Sequence, residues 1–327
     1  MPPPQNESSP AYMQGGDASI ERSEVLFPSV FNLLGSVDSN GLVSDLYVRN
    51  WFTGSIELVS AAPDGSQSDA YNVPGVFSRD GRYVAFLSSA GNLTGDNPQH
   101  LPNLFLRDRY LGTTRRLTFP SGGGEFASPP LFLGILRITA DAHCLMFGAS
   151  GVSFTSGDDP ALQNPYLLNL TSGTVEQLPR TIDGRPPDAS ISSGDISDDG
   201  RRLVFVTAAT NIASDNAAGV FIQDLGSGQA IRVSRPLGVL TRPPGTSPPK
   251  VRISLDGSTL AFEWPAFNAT FPTLLDEQQI YRVAIWNSAL QLASEVPALS
   301  VRSATICMLL IVAMALSAGR ARSPLHR

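Results

Sequence analysis

Residues Asp80-Gly-Arg-Tyr-Val-Ala-Phe86 form a short motif, Asp-Gly followed by an apolar run, which the chain repeats. Two further clear copies are Asp199-Gly-Arg-Arg-Leu-Val-Phe205 and Asp256-Gly-Ser-Thr-Leu-Ala-Phe262. Two weaker copies are Glu21-Arg-Ser-Glu-Val-Leu-Phe27 and Asp141-Ala-His-Cys-Leu-Met-Phe147, in which alanine replaces the glycine. The closing phenylalanines recur at intervals of 57 to 61 residues, which indicates five copies of one structural unit.

A second landmark follows each copy of the motif: an apolar stretch with an aromatic residue at its centre. The aromatic residues are Tyr47, Phe105, Tyr166, Phe221 and Tyr281. They keep nearly the same step as the phenylalanines, and two independent landmarks with one period make chance a poor explanation.

The sequence of one unit predicts four strands. Asp-Gly suits the positive φ of a tight hairpin turn, and the run Val84-Ala-Phe-Leu87 is apolar at consecutive positions, as in a strand covered on both faces. The aromatic strand, a glycine turn and an alternating strand complete the sheet. Four-stranded sheets repeated radially form a β-propeller, in which neighbouring sheets bury each other's faces.

The predicted fold is therefore all-β: a β-propeller of about five four-stranded blades, with a repeat of about 58 residues, plus a short C-terminal apolar helix. Residues 1–16 are polar and rich in Pro and Gly, which predicts a disordered segment. The propeller is predicted over 17–293, with blades near 17–75, 76–134, 135–193, 194–250 and 251–293, followed by a sorting or anchor segment at 294–327.

The motif at 80–93, together with Leu104-Phe-Leu-Arg-Asp108 and Gly112-Thr-Thr-Arg-Arg-Leu117, resembles the WD-type repeat of bacterial TolB-like β-propeller proteins. The resemblance covers 17–293, and it is close in the second and fourth units. It implies a propeller in a bacterial, usually envelope or exported, protein and implies no activity. The family often has six or more blades, so either the ring has five or an N-terminal part of the domain precedes this chain.

The C-terminal segment predicts sorting or membrane anchoring. Its motif resembles the Ile-Pro-Thr-Leu-Ser class of Gram-negative sorting signals, and the residues concerned are Val296, Pro297, Ala298, Leu299 and Ser300, with Arg320 and Arg322 as the basic tail. Between them lies an uncharged run at 304–318, which as a helix is about 22 Å long and shorter than a bilayer core of about 30 Å. A packed terminal helix is the alternative. Residues 1–16 lack the basic and apolar regions of a secretory signal, and if that absence is genuine the expected location is the cytoplasm.

The composition argues against a nucleic acid partner, and the sequence contains few candidate catalytic or metal-binding residues. The net charge is −6, with no basic block before the last few residues, which disfavours nucleic acid binding. The three histidines form no ligand-spaced pair, so no catalytic, cofactor-binding or metal-binding residue is predicted. Ca²⁺ is the one alternative, because loops of the first four units repeat oxygen-bearing residues at 38–40, 96–97, 158–159 and 215–216.

These observations predict a non-enzymatic scaffold at the cell envelope, periplasmic or at the surface and anchored at its C-terminus, that binds a protein or a glycan. A propeller hydrolase or lyase acting on polysaccharide is the main alternative, and a truncated, decayed paralogue is another. Cys144 and Cys307 both lie in apolar runs, which predicts two free thiols rather than a disulfide.

Overall fold

The computed structural model describes residues 17–19, 21–35, 38–182, 184–213, 218–234, 250–265, 278–286 and 291–298. Within these ranges the chain forms strands joined by turns and loops and contains no helix. The prediction of an all-β fold is confirmed. The predicted disordered segment at 1–16 and the predicted C-terminal helix lie outside the described residues.

The strands form five four-stranded antiparallel sheets, and in each one consecutive strands pair as a meander. Sheet 1 contains β1 (Ala18–Ser19), β2 (Glu24–Ser29), β3 (Asp45–Asn50) and β4 (Ile56–Leu58). Sheet 2 contains β5 (Asn72–Phe77), β6 (Tyr83–Ser88), β7 (Asn103–Asp108) and β8 (Thr113–Arg116). Sheet 3 contains β9 (Leu131–Ile138), β10 (Cys144–Ser150), β11 (Asn164–Asn169) and β12 (Val175–Gln177).

The remaining two sheets complete the series. Sheet 4 contains β13 (Ile191–Ile196), β14 (Arg202–Thr207), β15 (Gly219–Asp224) and β16 (Ala230–Arg232). Sheet 5 contains β17 (Val251–Ile253), β18 (Thr259–Pro265), β19 (Gln278–Trp286) and β20 (Gln291–Ala298). The first strands of sheets 2, 3 and 4 begin three or four residues ahead of the predicted blade boundaries near 76, 135 and 194.

The fifth sheet extends past the predicted boundary at 293. Val296, Pro297 and Ala298, which the sequence assigns to a sorting signal, lie in β20 and pair with residues 280–282 of β19. They supply the fourth strand that the sheet needs beside the aromatic strand, as β4, β8, β12 and β16 do elsewhere. Leu299, Ser300, Arg320 and Arg322 lie outside the described residues.

The repeated motif builds one hydrogen-bonded turn four times. In sheet 2 the Ser78 hydroxyl donates to Asp80 Oδ1 (2.6 Å), Arg82 N donates to the same oxygen (3.1 Å), and Tyr83 N donates to Ser78 Oγ (2.9 Å). Gly81 adopts φ of 67°. The same bonds recur in the equivalent turns of sheets 3, 4 and 5, which contain the pairs Thr139 and Asp141, Ser197 and Asp199, and Ser254 and Asp256. Where glycine is lost, Ala142 takes the left-handed conformation, with φ of 56°.

The chain divides into two compact units, 1–178 with sheets 1 to 3 and 179–327 with sheets 4 and 5. In the first unit one apolar core joins sheets 1 and 2 around Leu26, Val48 and Phe86, and another joins sheets 2 and 3 around Leu106 and Phe147. In the second unit a core joins sheets 4 and 5. Burial on both faces explains why the second and third strands read as continuous apolar runs.

One aspartate in each unit also links neighbouring sheets. Asp17 accepts bonds from its own neighbour Ala18 N (2.9 Å) and from Phe77 N in sheet 2 (2.9 Å). Asp195 accepts from Ile196 N (3.0 Å) and from Ile253 N in sheet 5 (3.1 Å). The two carboxylates occupy equivalent positions in their repeats, ten residues before the closing phenylalanine.

Replacing Asp195 with alanine is expected to destabilise the packing of sheet 5 on sheet 4 by about 1–3 kcal/mol, because Ile253 N–H is left buried without its acceptor. Hydrogen exchange measured by mass spectrometry should show protection lost at 251–253 and retained in 1–178. Asp17→Ala should give the converse pattern, with loss around Phe77. The exposed Asp64, replaced by alanine, serves as the control and should change neither unit. Equal loss in both units from either variant would contradict the division.

Candidate binding site

The site lies at one edge of the sheets in unit 1, here called the hairpin edge. In each sheet this edge carries the turn between the first and second strands and the turn between the third and fourth. Because every sheet is an antiparallel meander, these two turns always emerge on the same side. At the hairpin edge, equivalent residues of the three repeats therefore occupy the same position, each in its own sheet.

Between sheets 1 and 2 this edge is closed by Arg109, the residue directly after β7. Its Nη1 and Nη2 donate to both carboxylate oxygens of Glu24 (2.8 and 3.1 Å), and its Nε and Nη2 donate to Glu57 Oε2 (3.0 and 2.8 Å). Nη1 also donates to the Gly81 carbonyl (2.6 Å), and the guanidinium lies over the Phe77 ring. The side chain is only 10% exposed, so sheet 1 is held to sheet 2 by a buried, charge-assisted network.

The charges of this network shift the pKa of its members. Burial alone raises the pKa of Glu24, but hydrogen bonds and charge from Arg109, together with Arg22, outweigh burial and hold that pKa below its usual value. For Arg109, burial lowers the pKa, but the carboxylates of Glu24 and Glu57 outweigh burial and raise the pKa above its usual value. Both groups are therefore charged at neutral pH.

Between sheets 2 and 3 the equivalent position is open. Leu170, directly after β11, replaces Arg109, and Arg115 stands in the middle of β8 where Glu57 stands in β4. The result is a groove of about 340 Å³, here called the sheet 2–3 groove. It is lined by Tyr83, Leu106, Asp108, Thr113, Thr114, Arg115, Ala142, Leu170 and Thr171.

One cationic side chain of the sheet 2–3 groove, the Arg115 guanidinium, is available to a ligand. Asp108 is engaged by Arg82, whose Nη2 lies 2.6 Å from Asp108 Oδ2, and this bond holds the pKa of Asp108 below its usual value. Arg115 is exposed, donates to the Leu170 carbonyl (2.6 Å), and has no acidic partner among the described residues. The groove therefore presents a guanidinium beside threonine hydroxyls and the Tyr83 ring.

Exposed aromatic and apolar side chains stand on the turns after the third strands of sheets 1 and 2, and the turn of sheet 2 connects two residues that line the groove, Asp108 and Thr113. Tyr110 is 84% exposed and Leu111 62%, while Phe52 is 82% exposed at the equivalent position of sheet 1, next to Trp51. The Tyr110 turn is fixed because Asp108 Oδ1 accepts from Tyr110 N (3.0 Å) and Leu111 N (3.1 Å). The corresponding turns of sheets 3 and 4 carry Thr171 and Gly226 instead, so of these four described turns only those of sheets 1 and 2 expose aromatic residues.

The residues weighed for chemistry do not converge. His100 Nδ1 lies 3.9 Å from Asp69 Oδ1, and His143 Nδ1 lies 3.2 Å from Asp141 Oδ2 in the exposed repeat turn. In the part of the chain that the structure describes, no group of three or more His, Cys, Asp or Glu side chains forms a metal-sized cluster. Cys144 is a half-buried free thiol whose pKa burial raises, and Cys307 lies outside that part.

Sequence reasoning missed the sheet 2–3 groove. The available signal was the comparison of repeats at the residue after the third strand, which is Arg109 in sheet 2 but Leu170 in sheet 3 and Leu225 in sheet 4.

Among the described residues, no helix has the length and apolar character needed to span a bilayer.

Comparison with known proteins adds little. No family model matches the chain, and no curated protein matches it. Among solved structures, hydrazine synthase from Kuenenia stuttgartiensis is similar over 91% of this chain and 69% of its own, with 12% sequence identity and a TM-score of 0.45. The TolB-like family therefore stays a prediction.

Proposed function

We propose that this protein is a non-catalytic scaffold of the bacterial cell envelope, a TolB-like β-propeller of five sheets, that binds a protein partner at the hairpin edge of unit 1. The observation that carries the proposal is the sheet 2–3 groove with Tyr110 and Leu111 at its rim. Exposed Tyr and Leu on turns fixed by hydrogen bonds, beside an arginine, have the composition and rigidity of an interaction site.

The groove favours a partner segment that carries an acidic side chain. Its volume of about 340 Å³ lies at the low end for small-ligand pockets, which run from about 300 to 1,000 Å³, and suits a single inserted side chain. A carboxylate placed there would meet Arg115 and threonine hydroxyls, and Tyr110 and Leu111 would pack against the apolar part of the same segment. Charge on Arg115 then sets specificity, and the apolar rim supplies most of the affinity.

The first test is binding by matched variants of the full chain. Envelope extract is passed over the immobilised protein, and each captured protein is purified. The Kd of each captured protein is then measured for the wild type, for the double variant Tyr110→Ser/Leu111→Ser and for Arg115→Glu. Loss of an interfacial hot spot costs about 2 kcal/mol or more, so each variant should weaken binding by roughly 30-fold. Leu42→Ser, 88% exposed and away from the hairpin edge, is the control and should bind as the wild type does.

Equal affinity of all variants for every captured protein would overturn the assignment of this edge. Binding of a polysaccharide instead, lost in the same variants, would favour the glycan reading and the hydrolase or lyase alternative. The envelope location is tested separately by cell fractionation, with an epitope tag inserted at the exposed loop Gly122–Gly124. Recovery of the tagged chain in the cytoplasmic fraction would overturn that part of the proposal.

A further inference from the structure

Sheet 3 contains a buried polar cluster, here called the Asp158 cluster, made of Asp158, Asn164, Tyr166 and Gln177. Asp158 is 8% exposed, and its Oδ2 accepts bonds from Phe154 N (3.0 Å), Thr155 N (3.3 Å) and the Tyr166 hydroxyl (2.8 Å). Three other buried atoms have no hydrogen-bond partner in the described chain: Asp158 Oδ1, Asn164 Oδ1 and Gln177 Nε2. Buried polar groups without a partner are uncommon in folded proteins, and an ordered water or a bound ion commonly accounts for them.

Asn164, Tyr166 and Gln177 lie on one face of sheet 3. Asn164 is 1% exposed and stands two residues before Tyr166 on β11, so both side chains lie on one face of the strand. Asn164 acts on the Tyr166 hydroxyl by lowering its pKa, which burial and Asp158 raise more strongly. Gln177 pairs with Tyr166 across β11 and β12, so its side chain lies on the same face of the sheet.

The equivalent cluster in sheet 2 contains a cation. Arg116 pairs with Phe105 as Gln177 pairs with Tyr166, and its side chain is fully buried. Arg116 Nε donates to Asn103 Oδ1 (3.1 Å), and Nη1 donates to Glu125 Oε1 (2.7 Å). Asn103, the counterpart of Asn164, also donates to Asn97 Oδ1 (3.2 Å).

Sheet 3 changes both charges at this cluster. Asp158 stands six residues before Asn164, as Asn97 stands six residues before Asn103, so a carboxylate replaces an amide. The neutral Gln177 replaces Arg116, so the cation is lost where a negative charge is gained. In sheet 1 the buried carboxylate at the Asn103 position, Asp45, is instead satisfied by Ser60, Gln67, Ser68 and Asn40.

We propose that the Asp158 cluster binds a hard metal cation, Ca²⁺ or Na⁺, in the place that the Arg116 guanidinium occupies in sheet 2. Asp158 Oδ1 and Asn164 Oδ1 are its ligands, and rotation of the Gln177 amide supplies Oε1 as a third. Carboxylate and amide oxygens are the donors that such ions prefer. A cluster with one carboxylate binds weakly, and a Kd of about 10⁻⁴ to 10⁻³ M is expected for Ca²⁺.

The test is hydrogen exchange of the full chain with CaCl2 or NaCl as the probe, at constant ionic strength set with choline chloride. At ten times its Kd, the bound ion should slow exchange that proceeds through opening of β11 and β12 about tenfold. Strands β7 and β8 should not respond, because Arg116 already occupies their cluster. Response to one salt alone identifies the ion, and no response to either overturns the proposal in favour of buried water.

Three variants separate binding from a structural role. Gln177→Arg should protect β11 and β12 without added salt and remove their response to it, because the guanidinium replaces the ion as in sheet 2. Asp158→Asn should also abolish the response, although losing the charge can loosen the loop at 154–158. The exposed neighbour Asp159, changed to Asn, should leave the response intact. A Gln177→Arg protein that still responds like the wild type would overturn the site.

Discussion

Replacing Arg109 with leucine is expected to destabilise unit 1 by about 3–5 kcal/mol, because removing one partner of a buried ion pair leaves the other charge without compensation. Leucine is the residue that sheets 3 and 4 carry at this position, so the change suits the turn and isolates the effect of the charge. Glu24 is only 6% exposed and would lose both of its bonds from the Arg109 guanidinium. The measurement is urea unfolding, with hydrogen exchange to assign the loss to 1–178.

The double variant Arg109→Leu/Glu24→Leu is the matched control for this prediction. It removes the buried charge together with its partner, and replacing both members of a buried pair by apolar residues is often close to neutral. We therefore expect the double variant to be more stable than Arg109→Leu alone. If the double variant is the less stable of the two, an uncompensated Glu24 charge is not what destabilises Arg109→Leu, and the charge account is overturned.

The same network predicts how stability depends on pH. Because the pKa of Glu24 is lower in the folded protein than its usual value, the unfolded chain binds the proton more tightly. The stabilisation is present at pH values above the usual pKa and is lost as the pH falls through the folded value. In Arg109→Leu the contribution of Arg109 is absent and burial opposes ionisation, so the fall in stability on acidification should become smaller. An unchanged acid profile would contradict this account of Glu24.

Replacing Phe154 with alanine is expected to cost about 3–5 kcal/mol, the range for removal of a large buried aromatic side chain. Phe154 is 4% exposed, and its ring centroid lies 5.2 Å from that of Phe147, 5.0 Å from Tyr166 and 5.4 Å from Phe126. Alanine would leave a cavity in the apolar core that sheets 2 and 3 share. Urea unfolding of the full chain gives the size of the effect.

The chain offers a matched control in Phe52, which is 82% exposed on the hairpin edge. Phe52→Ala removes the same atoms from the surface and should change stability by no more than about 0.5 kcal/mol. Phe154→Leu should fall between wild type and Phe154→Ala, since leucine fills part of the cavity. Similar losses from Phe154→Ala and Phe52→Ala would show that the aromatic cluster contributes little to the stability of this core.

The strands were predictable because their signals are local. Asp-Gly at the turn and four consecutive apolar residues after it depend on a few neighbouring positions, and the structure forms the same bonded turn wherever Ser or Thr precedes this aspartate by two residues. The contacts at the hairpin edge were not predictable in this way. Arg109 meets Glu24 across 85 residues, and neither the period nor the composition states which carboxylate an arginine will face.

The Asp158 cluster falls between these cases. The pair at 158–159 stood out as part of an oxygen-bearing loop, but sequence alone treats its two aspartates alike. Packing distinguishes them: Asp158 is buried against Tyr166, and Asp159 is exposed. The extension of β20 past residue 293 had no sequence signal for a related reason, since β20 is defined by its pairing with β19 rather than by a motif of its own.

The Arg109 network also bears on how a chain of similar sheets avoids assembling in the wrong order. Tandem repeats misfold when one copy docks where another belongs, since their apolar faces are nearly interchangeable. Sheet 1 presents Glu24 and Glu57 to its neighbour, and only sheet 2 offers a guanidinium to meet them. If sheet 3 packed in that place, Leu170 would face the two carboxylates, so the misassembled arrangement would be less stable than the correct one. The charges that hold two sheets together thereby encode which sheet comes next.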